Sequence, residues 1–276
     1  MLSSLKPFTT EVAYMKKAVP GFNIFGYEDA KAVIEAAEEI GAPAILMTNK
    51  DCVEHIPLAS LAGLLRPMAE KAKVPVCIHL DHAKSEELVK EAIEAGYTSV
   101  MFDGSALPID ENISRTRSIV EFAKKHNVSV EGEIGSVAYS DRNFEVATVY
   151  TDPEEAYRFA TESGVDLMAV SVGTLHRMQS QHAKIQFERL EAIQKMTNVP
   201  LVIHGATGIS EEDLLRMIGY NIAKFNIGTA LRMAFGRELR NQVLENQEEY
   251  DRLKLFEEPM NAVRRVALLK YKQLGW

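Results

Sequence analysis

The chain has little cysteine, no long apolar run and no surplus of positive charge, and each deficit removes a class of protein. Its 276 residues include two cysteines, Cys52 and Cys77, which form neither a C-x-x-C motif nor a disulfide framework. Cys77 falls within a buried-strand pattern, which suits a reducing interior. No apolar stretch reaches the roughly 20 residues that span a bilayer, and Met1-Leu2-Ser3-Ser4-Leu5-Lys6-Pro7 lacks the apolar core of a signal peptide. A cytoplasmic protein with no membrane partner is therefore expected. A formal net charge of -8 argues against nucleic acid as a partner and leaves room for local basic pockets that take small anions. The first strand-to-helix turn carries no G-x-G-x-x-G, the mark of an open dinucleotide-binding sheet.

What the chain does have is a repeated alternation. With 46% hydrophobic residues it can bury a large core, and short β-branched runs recur near residues 19, 44, 76, 99, 129, 166, 201 and 221. Between them lie helical patterns with recognisable ends. Val33, Ile34, Ala37 and Ile40 share one face before Gly41, Thr151-Asp152-Pro153-Glu154-Glu155 has a cap, a proline and an acidic first turn, and Ser210-Glu211-Glu212-Asp213 resembles a capping box. A first helix is expected around Thr9 to Lys17. About eight βα units predict an α/β fold, a single (β/α)8 TIM barrel over residues 1–276, with a doubly wound open sheet as the alternative. A helical extension is expected from about residue 230, in one segment from Ala230 and another from Pro259 to Leu274. Leu231, Phe235, Leu239, Val243 and Leu244 form an apolar stripe on it, which suits either packing under the barrel or a subunit contact.

Catalytic groups of such barrels gather at the C-terminal ends of the strands. Here Asn23 ends strand 1, Asp81 and His82 end strand 3, and Asp103 ends strand 4. Glu131 and Glu133 lie on strand 5, His176 follows strand 6, His204 ends strand 7 and Asn226 ends strand 8. Three histidines converging on one mouth are the donor set of a catalytic zinc with an open position. His55, His126 and His182 fall on expected helices or loops away from it. The loops His204-Gly205-Ala206-Thr207-Gly208 and Asn226-Ile227-Gly228-Thr229 each open a helix, where glycine amides, hydroxyls and the helix N-terminus favour a phosphate.

Assembled in this order, the chain resembles the class II, metal-dependent ketose-bisphosphate aldolases, the family of fructose- and tagatose-bisphosphate aldolases. The resemblance runs over nearly the whole length. It rests on Phe22-Asn23, His79-Leu80-Asp81-His82, Met101-Phe102-Asp103-Gly104-Ser105, Glu131-Gly132-Glu133-Ile134-Gly135, Gly173-Thr174-Leu175-His176 and the two glycine loops. It implies reversible aldol cleavage of a phosphorylated ketose to dihydroxyacetone phosphate and an aldehyde. One catalytic Zn2+ per chain would sit on His82, His176 and His204. Asp103 and Glu133 would orient those ligands or hold metal themselves, with room for a monovalent or second divalent cation. Asp81 would exchange a proton with the C4 hydroxyl and Asn226 would hold the enediolate, with Asn23 beside the substrate. Gly205, Thr207, Gly228 and Thr229 would bind the donor phosphate. The partners implied are a phosphorylated sugar and further copies of the chain, in a homodimer or homotetramer.

The departures from the family pattern lie away from the donor. Relatives commonly carry glycine after the strand-6 histidine, then tyrosine and lysine three and four positions after it; this chain has Arg177, Gln179 and Ser180. Thr207 replaces a serine and keeps its hydroxyl. The loop after strand 5 reads Ser140-Asp141-Arg142-Asn143-Phe144-Glu145, so Asp141 or Glu145 is the candidate carrier of the C3 proton. Arg177, alone or with Asn49, Lys50 or Gln179, is the candidate for a terminal phosphate, carboxylate or sulfonate on the acceptor aldehyde. Two other functions compete. One is a lysine Schiff base, for which Lys224 is the candidate, and the other is a barrel that binds sugar phosphates without cleaving them.

Overall fold

The computed structural model describes residues 1–138 and 148–276. Eight parallel strands close into a barrel in sequence order: β1 (Val19–Asn23), β2 (Ala44–Thr48), β3 (Val76–Ala83), β4 (Ser99–Phe102), β5 (Ser129–Ile134), β6 (Leu167–Val170), β7 (Leu201–Ile203) and β8 (Ile222–Ile227). Strand β1 pairs with β2 on one side and with β8 on the other, Val19 standing opposite Lys224 and Phe22 opposite Ile227, which rules out the open sheet. Helices α1 (Lys6–Tyr14), α2 (Tyr27–Ile40), α3 (Lys50–His55), α4 (Leu58–Lys71), α5 (Glu86–Ala95), α6 (Ile109–Lys125), α7 (Pro153–Ser163), α8 (Phe187–Met196) and α9 (Glu211–Met217) precede α10 (Thr229–Glu245) and α11 (Arg252–Gln273). Among the described residues no helix is long and apolar enough to cross a membrane.

Several boundaries differ from the pattern reading, each for a local reason. Helix α1 starts at Lys6 because Pro7 suits the first turn; Thr9 lies inside it, its hydroxyl donating back to the Leu5 carbonyl. Helix α11 starts at Arg252, where the Asp251 side chain accepts from the Leu253 amide, and Pro259 sits within the helix rather than at its head. Helix α6 starts at Ile109, with Asp110 and Glu111 acidifying its first turn. The short α3 is too brief to carry a helical period and is capped by Asn49, whose side chain accepts from the Cys52 amide.

Every strand is covered on both faces, so its side chains divide by parity into an outer and an inner set. Outward residues such as Phe22, Leu46, Ile78, Val100 and Phe225 pack under the helices. Inward residues fill the barrel in a graded stack. At its closed end Val19, Ile45, Cys77 and Leu167 pack with Leu5, Phe8 and Val12 of α1. Above them the interior turns polar, with His79, Glu131 and Lys224 wholly buried. Gly21 makes room for this layer: a Cβ there would stand 2.6 Å from Met47 Sδ and 3.0 Å from Lys224 Cε.

Helix α11 packs on α2 and β1, with Tyr271 edge-on to Phe22 at 5.7 Å and its hydroxyl donating to the Pro43 carbonyl at 3.0 Å. The α10 stripe divides. Leu231 is buried and Phe235 stands 5.5 Å from Phe256, while Val243 and Leu244 are exposed.

Filling the space beside Lys224 is expected to cost stability. Gly21→Val should lower unfolding free energy by about 1–3 kcal/mol, the usual cost of overpacking. It should appear as a lower urea midpoint with an unchanged slope. An unchanged midpoint would mean that the polar layer is loosely packed.

Candidate metal centre and active site

Two adjacent residues of a regular strand point to opposite faces, yet Asp81 and His82 both line the mouth. A bulge at the end of β3 reconciles these facts. Leu80 pairs with Val100 and Ala83 with Phe102, so one extra residue is inserted, and His82 takes φ +55. Left-handed backbone at a residue with a side chain costs about 1–2 kcal/mol, a strain the strand carries where both groups must face one cavity.

His176 and His204 come from neighbouring loops that are pressed together. The His176 amide donates to the Ala138 carbonyl at 2.8 Å. Gly205 stands at φ +70, where a Cβ would lie 2.4 Å from the Leu175 carbonyl oxygen, so only glycine lets the loop after β7 approach His176 this closely. The ring centroid of His82 is 4.9 Å from that of His176 and 4.6 Å from that of His204. Donor atoms of all three lie within 4.8 Å of one another.

The outer hydrogen bonds of these rings leave particular nitrogens facing inward. His82 Nδ1 donates to Asp103 Oδ2 at 3.1 Å, and Asp103 is itself held by the Ser105 hydroxyl at 2.6 Å. His204 Nε2 donates to Glu131 Oε1 at 3.0 Å, and the other oxygen of Glu131 takes Lys224 Nζ at 2.7 Å. What remains are His82 Nε2 and His204 Nδ1, both buried and without a hydrogen-bond partner among the described residues. Orphaned buried acceptors cost about 1–3 kcal/mol each. Two such imidazole nitrogens beside a third histidine, each ring fixed by a carboxylate behind it, are the donor set of a metal.

The charges fit the same group. Burial disfavours the imidazolium of His82, but Asp81, the bond to Asp103 and Glu133 push it up to about 10. Burial, and then Asp103, push Glu133 up to about 8, and its Oε2, without a hydrogen-bond partner among the described residues, lies 3.6 Å from His82 Nδ1 and 3.5 Å from His204 Nδ1. A cluster of carboxylates that keeps a proton at neutral pH and draws cations is one that a divalent ion satisfies. His82 Nδ1, Asp103 and Glu133 form a second group with donor atoms inside 4.8 Å.

Asp81 faces this centre as a carboxylate. Burial would raise it, but His82, Lys224 and His204 hold it below its ordinary value. Asn23 Nδ2 donates to its Oδ2 at 2.8 Å and Asn226 Nδ2 to its Oδ1 at 3.1 Å, so both oxygens are fixed. Asn226 Oδ1 is buried without a hydrogen-bond partner among the described residues.

A cavity of about 650 Å³ opens above these residues and reaches Gly205, Thr207, Gly228 and Thr229. Gly228 caps the 17-residue α10, whose first turn leaves amides without partners inside the helix. The residues singled out in the sequence at the ends of the described strands thus share one mouth. Asp141 and Glu145 lie outside the described residues. Arg177 is at the rim, half exposed, with φ +59 and a guanidinium nitrogen 3.5 Å from Asp51 Oδ2.

Lys224 needs a correction: its ammonium is wholly buried and paired with Glu131 inside the barrel, which leaves no amine presented to a carbonyl. The Glu131–Lys224 pair went unread as a pair because β5 and β8 are not neighbours. Both sit on inward positions, which is the signal that could have joined them. Asp51 and Arg232, also on the cavity wall, had no signal beyond ordinary surface charge.

Removing Glu131 should be costly twice over. Glu131→Ala leaves Lys224 charged and unpaired inside the barrel, a loss of about 3–5 kcal/mol. It also frees His204 from its fixed tautomer, which should weaken metal affinity about 10–100-fold in a chelator competition. Unaltered affinity in the folded fraction of Glu131→Ala would show that this contact does not orient the ligand.

The family description "Fructose-bisphosphate aldolase class-II" matches residues 3–276. The 6-phospho-5-dehydro-2-deoxy-D-gluconate aldolase of Shouchella clausii (strain KSM-K16) is 35% identical over 274 residues, 98% of this chain and 94% of that protein. The crystal structure of the YdjI aldolase from Escherichia coli K12 superposes with a TM-score of 0.87 at 34% identity, covering 100% of this chain and 98% of that one. The fructose-bisphosphate aldolase of Campylobacter jejuni, at 22% identity and a TM-score of 0.85 over 99% and 95% of the two chains, shares the fold. With the histidine centre, the carboxylate beside it and these relatives in agreement, the chain belongs to the class II fructose-bisphosphate aldolase family and is an aldolase, a carbon–carbon lyase.

Proposed function

We propose that the protein cleaves a phosphorylated ketose reversibly to dihydroxyacetone phosphate and an aldehyde with an anionic end, using one zinc ion per chain. The observation that carries this reading is Asp81. It is an ionised carboxylate whose oxygens are both fixed by asparagine amides, beside His82 Nε2 and His204 Nδ1, which have no hydrogen-bond partner among the described residues. His82, His176 and His204 would hold the zinc ion, which when bound would supply Lewis-acid polarisation of the ketose carbonyl. The remaining steps belong to side chains. Asp81 takes the proton of the hydroxyl on the carbon that becomes the aldehyde, the electron pair of the broken carbon–carbon bond passes to the donor half, and the donor carbon then takes up a proton, delivered from solvent, to give dihydroxyacetone phosphate. In condensation Asp81 returns that proton. Asn226 Oδ1, without a hydrogen-bond partner among the described residues, accepts from a hydroxyl of the donor. The Gly205–Thr207 and Gly228–Thr229 corners receive the donor phosphate.

Two ends for the aldehyde have support. The family description favours a phosphate. The Shouchella clausii relative favours a carboxylate: its named substrate has a ketone at carbon 5 and a hydroxyl at carbon 3, so aldol cleavage between carbons 3 and 4 yields dihydroxyacetone phosphate and 3-oxopropanoate. Cleavage rates on fructose bisphosphate, tagatose bisphosphate and 6-phospho-5-dehydro-2-deoxygluconate separate them.

Chelation should abolish cleavage and zinc should restore it, with no protein adduct trapped by borohydride. Activity that survives complete metal removal would overturn the zinc reading. Asp81→Ala should keep its zinc while turnover falls by about two to four orders of magnitude, the range for a general acid–base group. Loss of zinc in that variant would make Asp81 an orienting group for His82 instead.

A further inference from the structure

The barrel does not support the three imidazoles equally. His82 lies within β3 and His204 directly follows β7, but His176 comes six residues after β6 ends at Val170. A ligand carried that far from its strand depends on what fixes the chain in between. Here that chain runs beside the residues that leave β5. The Ser171 hydroxyl donates to the Ser136 carbonyl at 3.2 Å, and the His176 amide to the Ala138 carbonyl at 2.8 Å. A third run, Val149 to Thr151 just before α7, grips both. The Ser136 amide donates to the Val149 carbonyl at 2.8 Å and the Val149 amide to the Ser136 carbonyl at 3.1 Å.

Thr151 joins these runs through one atom. It is wholly buried, and its hydroxyl donates to the Ile134 carbonyl at 2.6 Å while accepting from the Ser171 amide at 2.8 Å. Its own amide donates to the Ser171 carbonyl at 3.0 Å, so Thr151 takes up both backbone groups of the first residue after β6. Strands β5 and β6 are last paired at Ile134 and Val170, and Thr151 enters where they part. Helix capping does not account for this placement. The start of α7 is capped by Asp152, whose side chain accepts from the amides of Glu154 and Glu155. Arg189 of α8 backs the run, donating to the Thr151 carbonyl at 2.7 Å. A Cβ on Gly135 would stand 2.6 Å from Thr151 Oγ1, so the end of β5 lies directly against the hydroxyl. One hydroxyl thus ties the residue after Glu133 to the segment that ends in His176.

We propose that Thr151 is a positioning residue for the metal centre: its hydroxyl locks the start of the segment carrying His176 to the end of β5, and so sets His176 at the separation from His82 and His204 that a shared ion needs. The His176 ring centroid stands 4.9 Å from that of His82 and 5.8 Å from that of His204. Without the hydroxyl a buried carbonyl and a buried amide lose a partner together, and the strain is relieved by parting the end of β5 from the segment after β6. His176 moves with that segment. His82 and His204 stay, because β3 and β7 set them. The proposal rests on the zinc reading given above and adds to it a residue that touches neither the ion nor the substrate.

The test measures zinc affinity by chelator competition in Thr151→Val, which keeps the shape and removes the hydroxyl, and in Thr151→Ser, which restores it. Thr151→Val should bind zinc about tenfold more weakly, the low end for contacts behind metal ligands, and Thr151→Ser should stay within about twofold of the parent. Cobalt in place of zinc gives a second readout that needs no turnover. Its visible absorption follows ligand geometry, so it should change in Thr151→Val and match the parent in Thr151→Ser. Ser171→Ala removes only the bond to Ser136 and serves if Thr151→Val does not fold; it should weaken zinc binding severalfold. This order of affinities in a parent that holds zinc but cleaves no ketose would fault the proposed function and leave the positioning role standing. A folded Thr151→Val with a lower urea midpoint but the parent's zinc affinity and cobalt spectrum would overturn it, as would a Thr151→Ser no better than Thr151→Val or a Ser171→Ala that binds zinc as the parent does.

Discussion

The interior of a closed eight-strand barrel has no solvent to offer, and this chain places an ammonium and a carboxylate inside it. Glu131 takes Lys224 on one oxygen and His204 on the other, at 2.7 and 3.0 Å. Desolvating two charges costs more than an apolar filling would, and such pairs persist where they hold something else in place. Here the thing held is the His204 ring. With Nε2–H committed to Glu131, the lone pair on Nδ1 faces His82 and His176, and the three-imidazole centre exists only in that tautomer. The arrangement reaches into the backbone as well, since Gly21 leaves the space that Lys224 and Met47 fill.

The bulge of β3 is the second device on which the site depends. A strand in strict register would turn either Asp81 or His82 away from the mouth. The inserted residue turns both inward and sets the carboxylate proposed to move the proton next to a proposed metal ligand, with Asn23 and Asn226 reaching Asp81 from β1 and β8 across the strand ends. The proposed donor chemistry thereby rests on strand ends and short loops anchored to the barrel wall. The rim formed by Asp51 of α3, Arg177 behind β6 and Arg232 in the first turn of α10 is more exposed. The residues proposed to perform the bond cleavage are buried and interlocked, while those of this rim are not.

Much of this was legible in the sequence because closure turns a one-dimensional pattern into a ring. Eight βα units imply a barrel, a barrel implies that strand ends converge, and His82, His176, His204, Asp81 and Asn226 follow from counting. Contacts across the ring were not legible. Lys224 read as a candidate amine because nothing local marks Glu131 as its partner, and the two meet only through the barrel interior. Asp51 read as ordinary surface charge because α3 is shorter than two turns and leaves no period to detect, and Arg232 because nothing local on α10 marks Asp51 as its partner across the mouth. Helix α11 was misjudged at its head because Pro259 resembles a start signal, whereas the Asp251 cap begins the helix two turns earlier.

The central claim is that three imidazoles hold the metal, His82 through Nε2 and His204 through Nδ1, with Asp103 and Glu131 behind them. A crystal structure of the zinc-loaded protein, with anomalous differences collected at the zinc edge, tests it most directly. The account predicts one strong peak within about 2.0–2.1 Å of a nitrogen on each of His82, His176 and His204. A peak held instead by Asp103 and Glu133, or bound through His204 Nε2 with Glu131 displaced, would contradict it.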